Sequence, residues 1–412
     1  MRKPPHSFRD QAGFPVLHVL GAGIALSLLG DGTMMTVLPQ AAFASELALT
    51  INMVAWALAV NRLVRLGFNP LAGRLLRVLP RRIVLIPSLA LGAVSTLLCS
   101  FGGFPLVMAG RILWGLAWAG LWVGGTAVVL DLSQDHTRGR HSGLFQMWFF
   151  IGVGLSSFMG AWLSDIVGLK VSLRFSAFIM ALVSCFWFWA LPETGRSEQR
   201  SQLPAGSLGD KAVRRSVVLA AVPMFVNRFL FAGVLAVTVI LWLETFIGQG
   251  VQVGGAFVAL ATLAGAFSAS RTLISLASTT LTGRISDRLG ARWPVLAAVV
   301  GLGAIGCAMM GTPWFPLGIA GLLLSSLTSG GIQTLLTAWV GDRVPEEAQE
   351  TVLGALFSIG DVGSTLGPLA GLAWVQRASI GGLYQAAALL LALTAGYALW
   401  VAVRDVPNEA LA

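Results

Sequence analysis

Charged residues are scarce in this chain of 412 residues. Asp, Glu, Lys and Arg together make up 11% of it, against about 25% in a typical soluble domain. Hydrophobic residues account for 56%, and the mean hydropathy is +0.80. So few charges cannot cover a surface that faces water, which excludes an ordinary soluble protein. The sequence therefore predicts that lipid is the solvent for most of the surface.

Cysteine is rare as well, and the residue patterns of common enzyme sites are missing. All three cysteines lie inside apolar runs, which argues against a disulfide framework and favours a packing role. The sequence has no Cys/His pattern with metal-ligand spacing and no G-x-x-x-x-G-K-[ST] phosphate loop. We therefore expect a protein that is not an enzyme, hydrolyses no ATP and has no cofactor. The cysteines are Cys99, Cys185 and Cys307.

Long apolar runs, by contrast, fill the chain. Breaks at proline, glycine and charge clusters divide it into twelve segments, each near the roughly 20 residues that a membrane-spanning helix needs. A long hydrophilic stretch from Pro192 to Arg215 separates the first six from the last six. The sequence predicts a six-helix bundle over residues 1–191, a cytoplasmic linker over 192–214 and a second bundle over 215–412. The predicted spans are 15–38, 50–72, 83–101, 105–130, 143–163, 171–191, 215–242, 253–280, 292–311, 315–340, 352–375 and 381–403.

The basic residues indicate an orientation in the membrane. The formal net charge is +9, but the basic residues stand in short clusters between apolar runs, which suits a membrane protein better than a nucleic-acid-binding one. With the N-terminus inside, nearly all the Lys and Arg outside the helices fall on the cytoplasmic side. The outer segments hold Lys170, Arg174 and Arg377. We therefore expect a protein of the cell membrane with both termini in the cytoplasm.

The two halves of the sequence repeat each other. Three landmarks of the first half, Asp131, Gly143 and Gly160, recur 211 positions later. Two halves with the same build, in an apolar chain of this length, usually enclose a pathway between them. The repeat therefore predicts a transporter. The later landmarks are Asp342, Gly354 and Gly371.

Short motifs in both halves resemble those of the major facilitator superfamily over nearly the whole chain. The loop signature G-x-x-x-D-R-x-G-R-R/K is matched in the second half, whereas in the first half Arg77 stands where Asp is expected. The fourth predicted helix matches R-x-x-x-G with Arg111 and Gly115. Leu191–Thr194 resembles the ending common after the sixth helix. The second-half loop residues are Gly283, Asp287, Arg288, Gly290 and Arg292, and the first half keeps Gly73, Arg81 and Arg82.

This resemblance implies a fold and a way of working. We expect an all-α membrane protein of twelve transmembrane helices in two pseudo-symmetric six-helix bundles, the major facilitator fold. Such proteins are secondary active transporters that rock about a central cavity and generally work as monomers. Partners would be a small-molecule substrate, the lipid bilayer and a coupling ion such as the proton.

Ionisable residues at bilayer depth are costly and need an explanation. Asp31 lies roughly 24 Å into the first predicted helix, and Arg111 lies in the outer half of the fourth. The resemblance implies that both helices line the cavity, so we expect Asp31 and Arg111 to pair. If Arg111 approached and withdrew, Asp31 would release and take up a proton in alternation. The alternative is a permanent ion pair that only fixes helix packing.

Asp361 is the second candidate for proton coupling. It lies near the midplane of the eleventh predicted helix, where Arg228 on the seventh helix or Arg271 on the eighth could pair with it. A packing salt bridge away from substrate is the alternative. Arg62 on the second helix could bind an anion or pair with Asp31.

Candidate substrate contacts follow from helical spacing. Trp114 and Trp118 lie on one stripe of the fourth helix with Arg111, and this stripe would suit a hydrophobic or aromatic substrate. Interhelical packing or a lipid-facing ridge would use the same spacing. The other candidates for substrate binding are Arg62, Gln146, Arg228 and Arg271.

The candidate gating residues lie in the loop signature and on a glycine-rich helix. Gly363 and Gly367 are four residues apart and lie on one face of the helix, so a neighbouring helix backbone can approach closely. The resemblance implies that this helix forms a sliding seam between the halves. The loop signature is expected to latch the cytoplasmic side through Asp287 and the N-terminal end of a following or neighbouring helix. The loop candidates are Gly73, Gly283, Asp287 and Arg288.

Three functions remain open on the sequence. The first is proton-coupled export of a small hydrophobic or amphipathic molecule, as in multidrug exporters. The second is uptake of a small organic solute or anion by symport or facilitated diffusion. The third is a receptor or assembly factor that transports nothing. Export is favoured only in part, because the fifth predicted helix lacks the Gly-Pro signature of many antiporters, and Gly367-Pro368 occurs instead on the eleventh.

Overall fold

The computed structural model describes residues 8–133, 137–194, 211–344 and 346–404, which fold almost entirely into helices. The described helices of the first half are α1 (Phe8–Ser27), α2 (Leu29–Val37), α3 (Ala41–Glu46), α4 (Ile51–Val78), α5 (Arg81–Phe101), α6 (Phe104–Asp131), α7 (Arg138–Val167) and α8 (Leu169–Ala190). Those that follow are α9 (Lys211–Phe229), a π-helical turn (Leu230–Val234), α10 (Leu235–Ile247), α11 (Leu260–Leu289), α12 (Arg292–Met310), α13 (Phe315–Arg343), α14 (Glu346–Val375) and α15 (Ile380–Arg404). A two-stranded antiparallel hairpin, β1 (Gly250–Val253) and β2 (Ala256–Ala259), precedes α11.

Each of the twelve predicted spans has a helical counterpart. Among the described residues, eleven helical spans are long and apolar enough to cross a membrane. The remaining prediction, 50–72, falls in α4, whose 28 residues are long enough at about 1.5 Å per residue. Arg62, Arg65 and Arg74 lower the mean hydropathy of α4. The predicted all-α fold with twelve spanning helices is confirmed.

The chain forms two compact units, Met1–Ser201 with Ile247–Ala269, and Gln202–Phe246 with Ser270–Ala412. The start of α11 therefore belongs to the first unit. There a methyl group on Gly265 would lie 2.5 Å from the carbonyl oxygen of Ser157 on α7, so the two helices are in backbone contact. The division at residues 192 and 215 stays a prediction, and residues 195–210 of the linker lie outside the described part of the chain.

The prediction of a helix over residues 253–280 was wrong at its beginning. Residues 253–259 belong to the hairpin, and α11 begins at Leu260. The hairpin turns at Gly254 and Gly255, which have φ angles of +57° and +85°. Adjacent glycines with positive φ are typical of a tight hairpin turn. The signal was present in the sequence, but the flanking apolar residues resemble the end of a membrane helix.

Two predicted helices are interrupted. The first, 15–38, breaks between α1 and α2 at Leu28, and the seventh, 215–242, contains the π-helical turn between α9 and α10. Such turns occur frequently at functional sites. Here the turn brings Gly233 against Gly367 of α14, where an added methyl group would lie 2.7 Å from a backbone Cα.

The core of the first unit forms around two tryptophans and the glycines that admit them. Trp187 of α8 is fully buried, and its indole N–H donates to the carbonyl oxygen of Val19 on α1 at 3.2 Å. Gly23 leaves the space that this ring occupies. In the same way, Gly92 of α5 leaves space for Trp114 of α6. Large rings therefore fill the gaps between α1, α5, α6 and α8.

The internal repeat reappears in the structure as a repeated ion pair. In the first unit, Arg81 Nε lies 2.9 Å from Asp131 Oδ2, and in the second, Arg292 Nε lies 2.8 Å from Asp342 Oδ2. Both members of the second pair follow those of the first by 211 residues. Each pair joins the first turn of one helix to the end of the next, which explains why these positions repeat in the sequence.

The two pairs are expected to differ in their contribution to stability. The Asp131 side chain is 6% exposed and also accepts from the hydroxyl of Thr194, whereas that of Asp342 is 50% exposed. Asp131→Ala leaves Arg81 without its counter-charge and should cost about 3 kcal/mol. Asp342→Ala should cost less than about 1 kcal/mol, because Arg292 also pairs with Asp287. Thermal unfolding of the two purified variants tests this, and equal losses would contradict it.

Candidate functional site

Asp31 lies on the third residue of α2 between two glycines that fix the position of the helix. A methyl group on Gly30 would lie 2.5 Å from Cγ2 of Thr96 on α5, and one on Gly32 would collide with Ser156 on α7. The sequence Gly-Asp-Gly therefore lets α2 contact both helices closely. The carboxylate of Asp31, between the two glycines, contacts Arg111 of α6.

Asp31 and Arg111 form an ion pair inside the first unit. Arg111 Nη2 lies 2.6 Å from Asp31 Oδ1, and the two side chains are 2% and 19% exposed. Arg111 Nε donates to the carbonyl oxygen of Ala57 on α4 at 3.0 Å. The pairing is the one expected from the sequence, while its role in proton coupling stays a prediction.

The R-x-x-x-G motif has a structural reason. Arg111 contacts the carbonyl oxygen of Ala57, and a methyl group on Gly115 would lie 2.6 Å from the carbonyl oxygen of Asn61. The same step of four residues on α6 and α4 shows that the two helices lie side by side. Glycine at the second motif position keeps α4 close enough for Arg111 to reach both its carbonyl and Asp31.

Arg62 lies near this ion pair but is not part of it. Its Nη2 contacts Met35 Sδ at 4.0 Å, one turn along α2 from Asp31. Among the described residues, Asp31 pairs with Arg111 and not with Arg62. The suggestion that Arg62 pairs with Asp31 was therefore wrong, because the buried Arg111 occupies that position.

Trp114 and Trp118 do not form a wall for substrate. Their side chains are 3% and 6% exposed and lie in the hydrophobic core of the first unit. Trp118 contacts the ring of Trp114 and stacks on Trp122, with ring centres 5.7 Å apart in each case. The stripe exists, but it faces neighbouring helices of its own unit. Interhelical packing is the interpretation that the structure supports.

In the second unit, Arg228 joins three helices. Its Nη2 donates to Gln333 Oε1 of α13 at 3.1 Å. Its aliphatic stem lies over Gly360 of α14, so that a methyl group there would be 2.8 Å from Arg228 Cγ. This places Arg228 beside the residue that precedes Asp361. Pairing between Arg228 and Asp361 stays a hypothesis, and Gln333 is a contact that the sequence did not reveal.

Among the described residues, Arg271 and Gln146 form no comparable network. Arg271 is part-buried on α11, and its Nε has no hydrogen-bond acceptor among the described residues. One turn further along, Ser275 packs against Gly330 of α13. Gln146 is half-buried on α7. Their assignment to substrate binding stays a prediction.

The glycines of α14 pack within their own unit. Methyl groups on Gly363 and Gly367 would lie 2.6 Å and 2.5 Å from the carbonyl oxygens of Phe225 and Phe229 on α9. The stripe thus brings α14 into backbone contact with α9 and the π-helical turn. The interpretation of this glycine face as a sliding seam between halves is not supported, because a helix of the same unit already covers it.

The loop signature of the second half is held by the helix that follows it. Asp287 Oδ1 pairs with Nη1 of Arg292, the first residue of α12, and the same nitrogen contacts Ser286. Arg288 is exposed. A methyl group on Gly283 would make an ordinary 3.6 Å contact with Cγ2 of Thr334, and one on Gly73 would meet no atom within 4 Å. The latch role of these residues stays a prediction, and the Arg77 side chain lies outside the described part of the structure.

One further polar contact was missed at the sequence level. Asp165 Oδ2, near the end of α7, accepts from the backbone N–H of Thr262 at 2.7 Å and from its hydroxyl at 2.6 Å. Thr262 is the third residue of α11, so the carboxylate caps the positive end of that helix. No local motif identifies such a cap, because its two residues are far apart in the chain.

Two curated relatives are similar in sequence. Quinolone resistance protein NorA of Staphylococcus aureus is 26% identical over 148 residues, which cover 35% of this chain and 38% of NorA. The match therefore spans well under half of NorA. The gallate transporter of Pseudomonas putida is 25% identical over 327 residues, which cover 71% of this chain and 70% of the relative.

Solved structures match the fold over almost the whole chain. A bacterial homologue of the human lysosomal transporter Spinster, in an inward-facing and unoccupied conformation, has a TM-score of 0.70 at 15% identity and covers 97% of this chain and 96% of its own. The human organic anion transporter MFSD10 has a TM-score of 0.66 at 19% identity and covers 96% and 100%. Both similarities support the fold that the motifs predicted.

A family model settles the assignment. The model described as Major Facilitator Superfamily matches residues 20–275 and 261–411, which together include nearly every described helix. The predictions of a non-enzymatic transporter and of the major facilitator fold are both confirmed. This chain belongs to the Major Facilitator Superfamily and is a multi-pass membrane transporter.

Proposed function

We propose that this transporter exports a small hydrophobic or amphipathic molecule in exchange for protons, by alternating access. The observation that carries the proposal is the ion pair between Asp31 and Arg111 within membrane-spanning helices. An ionisable pair at this depth is costly. Its cost is explained if the carboxylate changes its protonation state during each cycle.

The geometry gives each residue a part in that cycle. Burial favours the neutral form of a carboxylate and a nearby guanidinium favours the charged form. Arg111 is almost completely enclosed and bound to α4, so it is the fixed member, while Asp31 is the more exposed one. A proton that reaches Asp31 removes the attraction between α2 and α6. Loss of the proton restores it, which links proton occupancy to the positions of these helices.

The choice of substrate and direction rests on similarity. NorA is a quinolone resistance protein, and the end of the first helix, Asp31 to Pro39, resembles that of proton-linked exporters. Because Trp114 and Trp118 are buried in the core of the first unit, they do not support the choice of a hydrophobic substrate. The arginine distribution supports a cell-membrane location with cytoplasmic termini, and a monomer is the form proposed on the resemblance.

Uptake of a small organic anion is the second candidate. The gallate transporter is similar over 71% of this chain, and gallate carries a carboxylate. Arg271 is a part-buried cation on a membrane-spanning helix whose Nε has no acceptor among the described residues. Such a group is suited to bind a carboxylate.

Transport in vesicles separates the two candidates. The purified protein is reconstituted with an imposed pH gradient, and the movement of a cationic dye, of gallate and of protons is recorded. Dye movement opposite to protons supports the proposed function. Gallate movement along with protons supports uptake instead, and a lack of movement of any solute tested would contradict both.

Arg271→Gln distinguishes them further. If an organic anion is the substrate, loss of one charge-assisted hydrogen bond should raise KM for gallate about tenfold, with a smaller effect on kcat. Arg284→Gln on the same helix is the matched control, because Arg284 is exposed. For export of a cationic dye, neither variant should change KM. An equal change in both variants would indicate a general effect of charge on α11.

A further inference from the structure

An open groove of about 210 Å³ lies at one end of the second unit, between the beginning of α9 and the end of α15. The hydroxyl of Tyr397 on α15 donates to the carbonyl oxygen of Leu219 on α9 at 3.0 Å, which ties the two helices together beside the groove. The groove combines cationic, aromatic and aliphatic side chains. It is lined by Arg215, Leu219, Trp400, Val401 and Arg404.

An aromatic surface holds one of the arginines in place. Cζ of Arg404 lies 4.4 Å from the centre of the Trp400 ring, and Trp400 stacks on Tyr397 with ring centres 5.9 Å apart. A guanidinium over an indole is attracted to the ring face and keeps its N–H groups free to donate at its edge. The contact with the ring therefore positions the guanidinium and leaves its edge for other partners.

Both arginines lie at the level where lipid headgroups are expected. Arg215 is the second residue of the span Arg214–Ile247, and Arg404 is the last residue of the span Ile380–Arg404. The basic-residue distribution predicts that this end faces the cytoplasm. Both side chains are exposed. Within the described part of the chain, no carboxylate pairs with either one.

The equivalent position in the first half has the opposite charge. Glu193 precedes Arg404 by 211 residues, and its carboxylate accepts from the backbone N–H groups of Arg81 at 2.8 Å and Arg82 at 3.1 Å. The first half thus supplies its own anion to cap α5. The second half has the cation Arg404 at this position of the repeat.

We propose that this groove binds the phosphate headgroup of an anionic phospholipid of the cytoplasmic leaflet. Arg215 and Arg404 donate to the phosphate oxygens, as guanidinium groups do at phosphate sites. Trp400, Leu219 and Val401 contact the glycerol and the upper acyl chain. Basic pockets between spanning helices on the cytoplasmic side have this chemistry. The site is independent of the transported substrate and of proton coupling.

Lipid binding by the full-length purified protein tests the site. Native mass spectrometry measures retention of phosphatidylglycerol, with zwitterionic phosphatidylcholine as the reference. We expect the wild type to prefer phosphatidylglycerol, and binding to weaken about fivefold for each arginine replaced in Arg215→Gln and Arg404→Gln. The double variant with Lys at both positions should keep most of the affinity.

Arg174→Gln is the matched control. Arg174 also lies over an aromatic ring, with Cζ 5.9 Å from the centre of Phe101, but it is on α8 in the other unit. It should bind phosphatidylglycerol like the wild type. Equal weakening in this control, equal affinity for both lipids, or unchanged binding in the double Gln variant would overturn the proposal. Displacement of the lipid by inorganic phosphate at similar concentration would assign the groove to a free anion instead, and would also overturn it.

Discussion

Asp31→Asn is expected to abolish proton-driven transport while leaving the protein inserted and folded. The amide has nearly the shape of the carboxylate, but it cannot release a proton and cannot pair with Arg111 as an anion. In reconstituted vesicles, accumulation driven by a pH gradient should fall to the level of vesicles without protein. Exchange of substrate down its own gradient should continue, because alternating access does not require the charge.

Asp165→Asn provides the matched control for this experiment. It makes the same chemical change in the same unit, at a carboxylate that accepts from both groups of Thr262 through Oδ2. An amide oxygen accepts equally well, so the cap on α11 is preserved and pH-driven transport should persist. Undiminished pH-driven transport by Asp31→Asn would contradict the assignment of Asp31. Equal losses of pH-driven transport in both variants would show that the effect is not specific to Asp31, and would also contradict the assignment.

Gly367→Ala is expected to destabilise the second unit. The added methyl group would lie 2.5 Å from Cα of Gly233 and from the carbonyl oxygen of Phe229. Both neighbours are backbone atoms, so no side chain can rotate away, and α14 must move from α9. Overpacking of this kind costs about 1–3 kcal/mol. Thermal unfolding of the purified protein should show a lower Tm.

Gly354→Ala on the same helix should have the opposite sign. No atom lies within 4 Å of a methyl group at Gly354, and alanine favours a helix over glycine by about 1 kcal/mol in a helix interior. The comparison removes the effect of helix propensity, which is the same at both sites. If both variants unfold at the same temperature, the close contact at Gly367 is not important for stability.

The repeat of 211 residues was the most informative sequence signal, because it concerns backbone architecture. Asp131 and Asp342 mark equivalent helix ends. In the structure each pairs with an equivalent arginine, Arg81 or Arg292, at the start of the preceding helix. A repeat within one chain can be recognised without knowing which side chains lie next to each other in the fold. For the same reason, the spans could be located from hydrophobic length alone.

Side-chain environments could not be predicted in this way. The spacing of Trp114 and Trp118 correctly places them on one face of α6, but it does not say which helix covers that face. Gly363 and Gly367 likewise indicate a close helix contact without identifying α9 as the partner. Spacing defines a surface, and only packing defines what the surface meets. The Asp31–Arg111 pair could be predicted from the sequence, because two opposite charges at similar depth in a membrane are stabilised by pairing.

The two repeated ion pairs have one more consequence, which concerns electrolyte. The Debye length falls from about 10 Å at 0.1 M salt to about 3 Å at 1 M, and pairs that face water are screened much more than buried pairs. Asp342 is half exposed whereas Asp131 is enclosed. The two halves therefore share one architecture, but the Arg292–Asp342 pair should weaken more than the Arg81–Asp131 pair as the salt concentration rises.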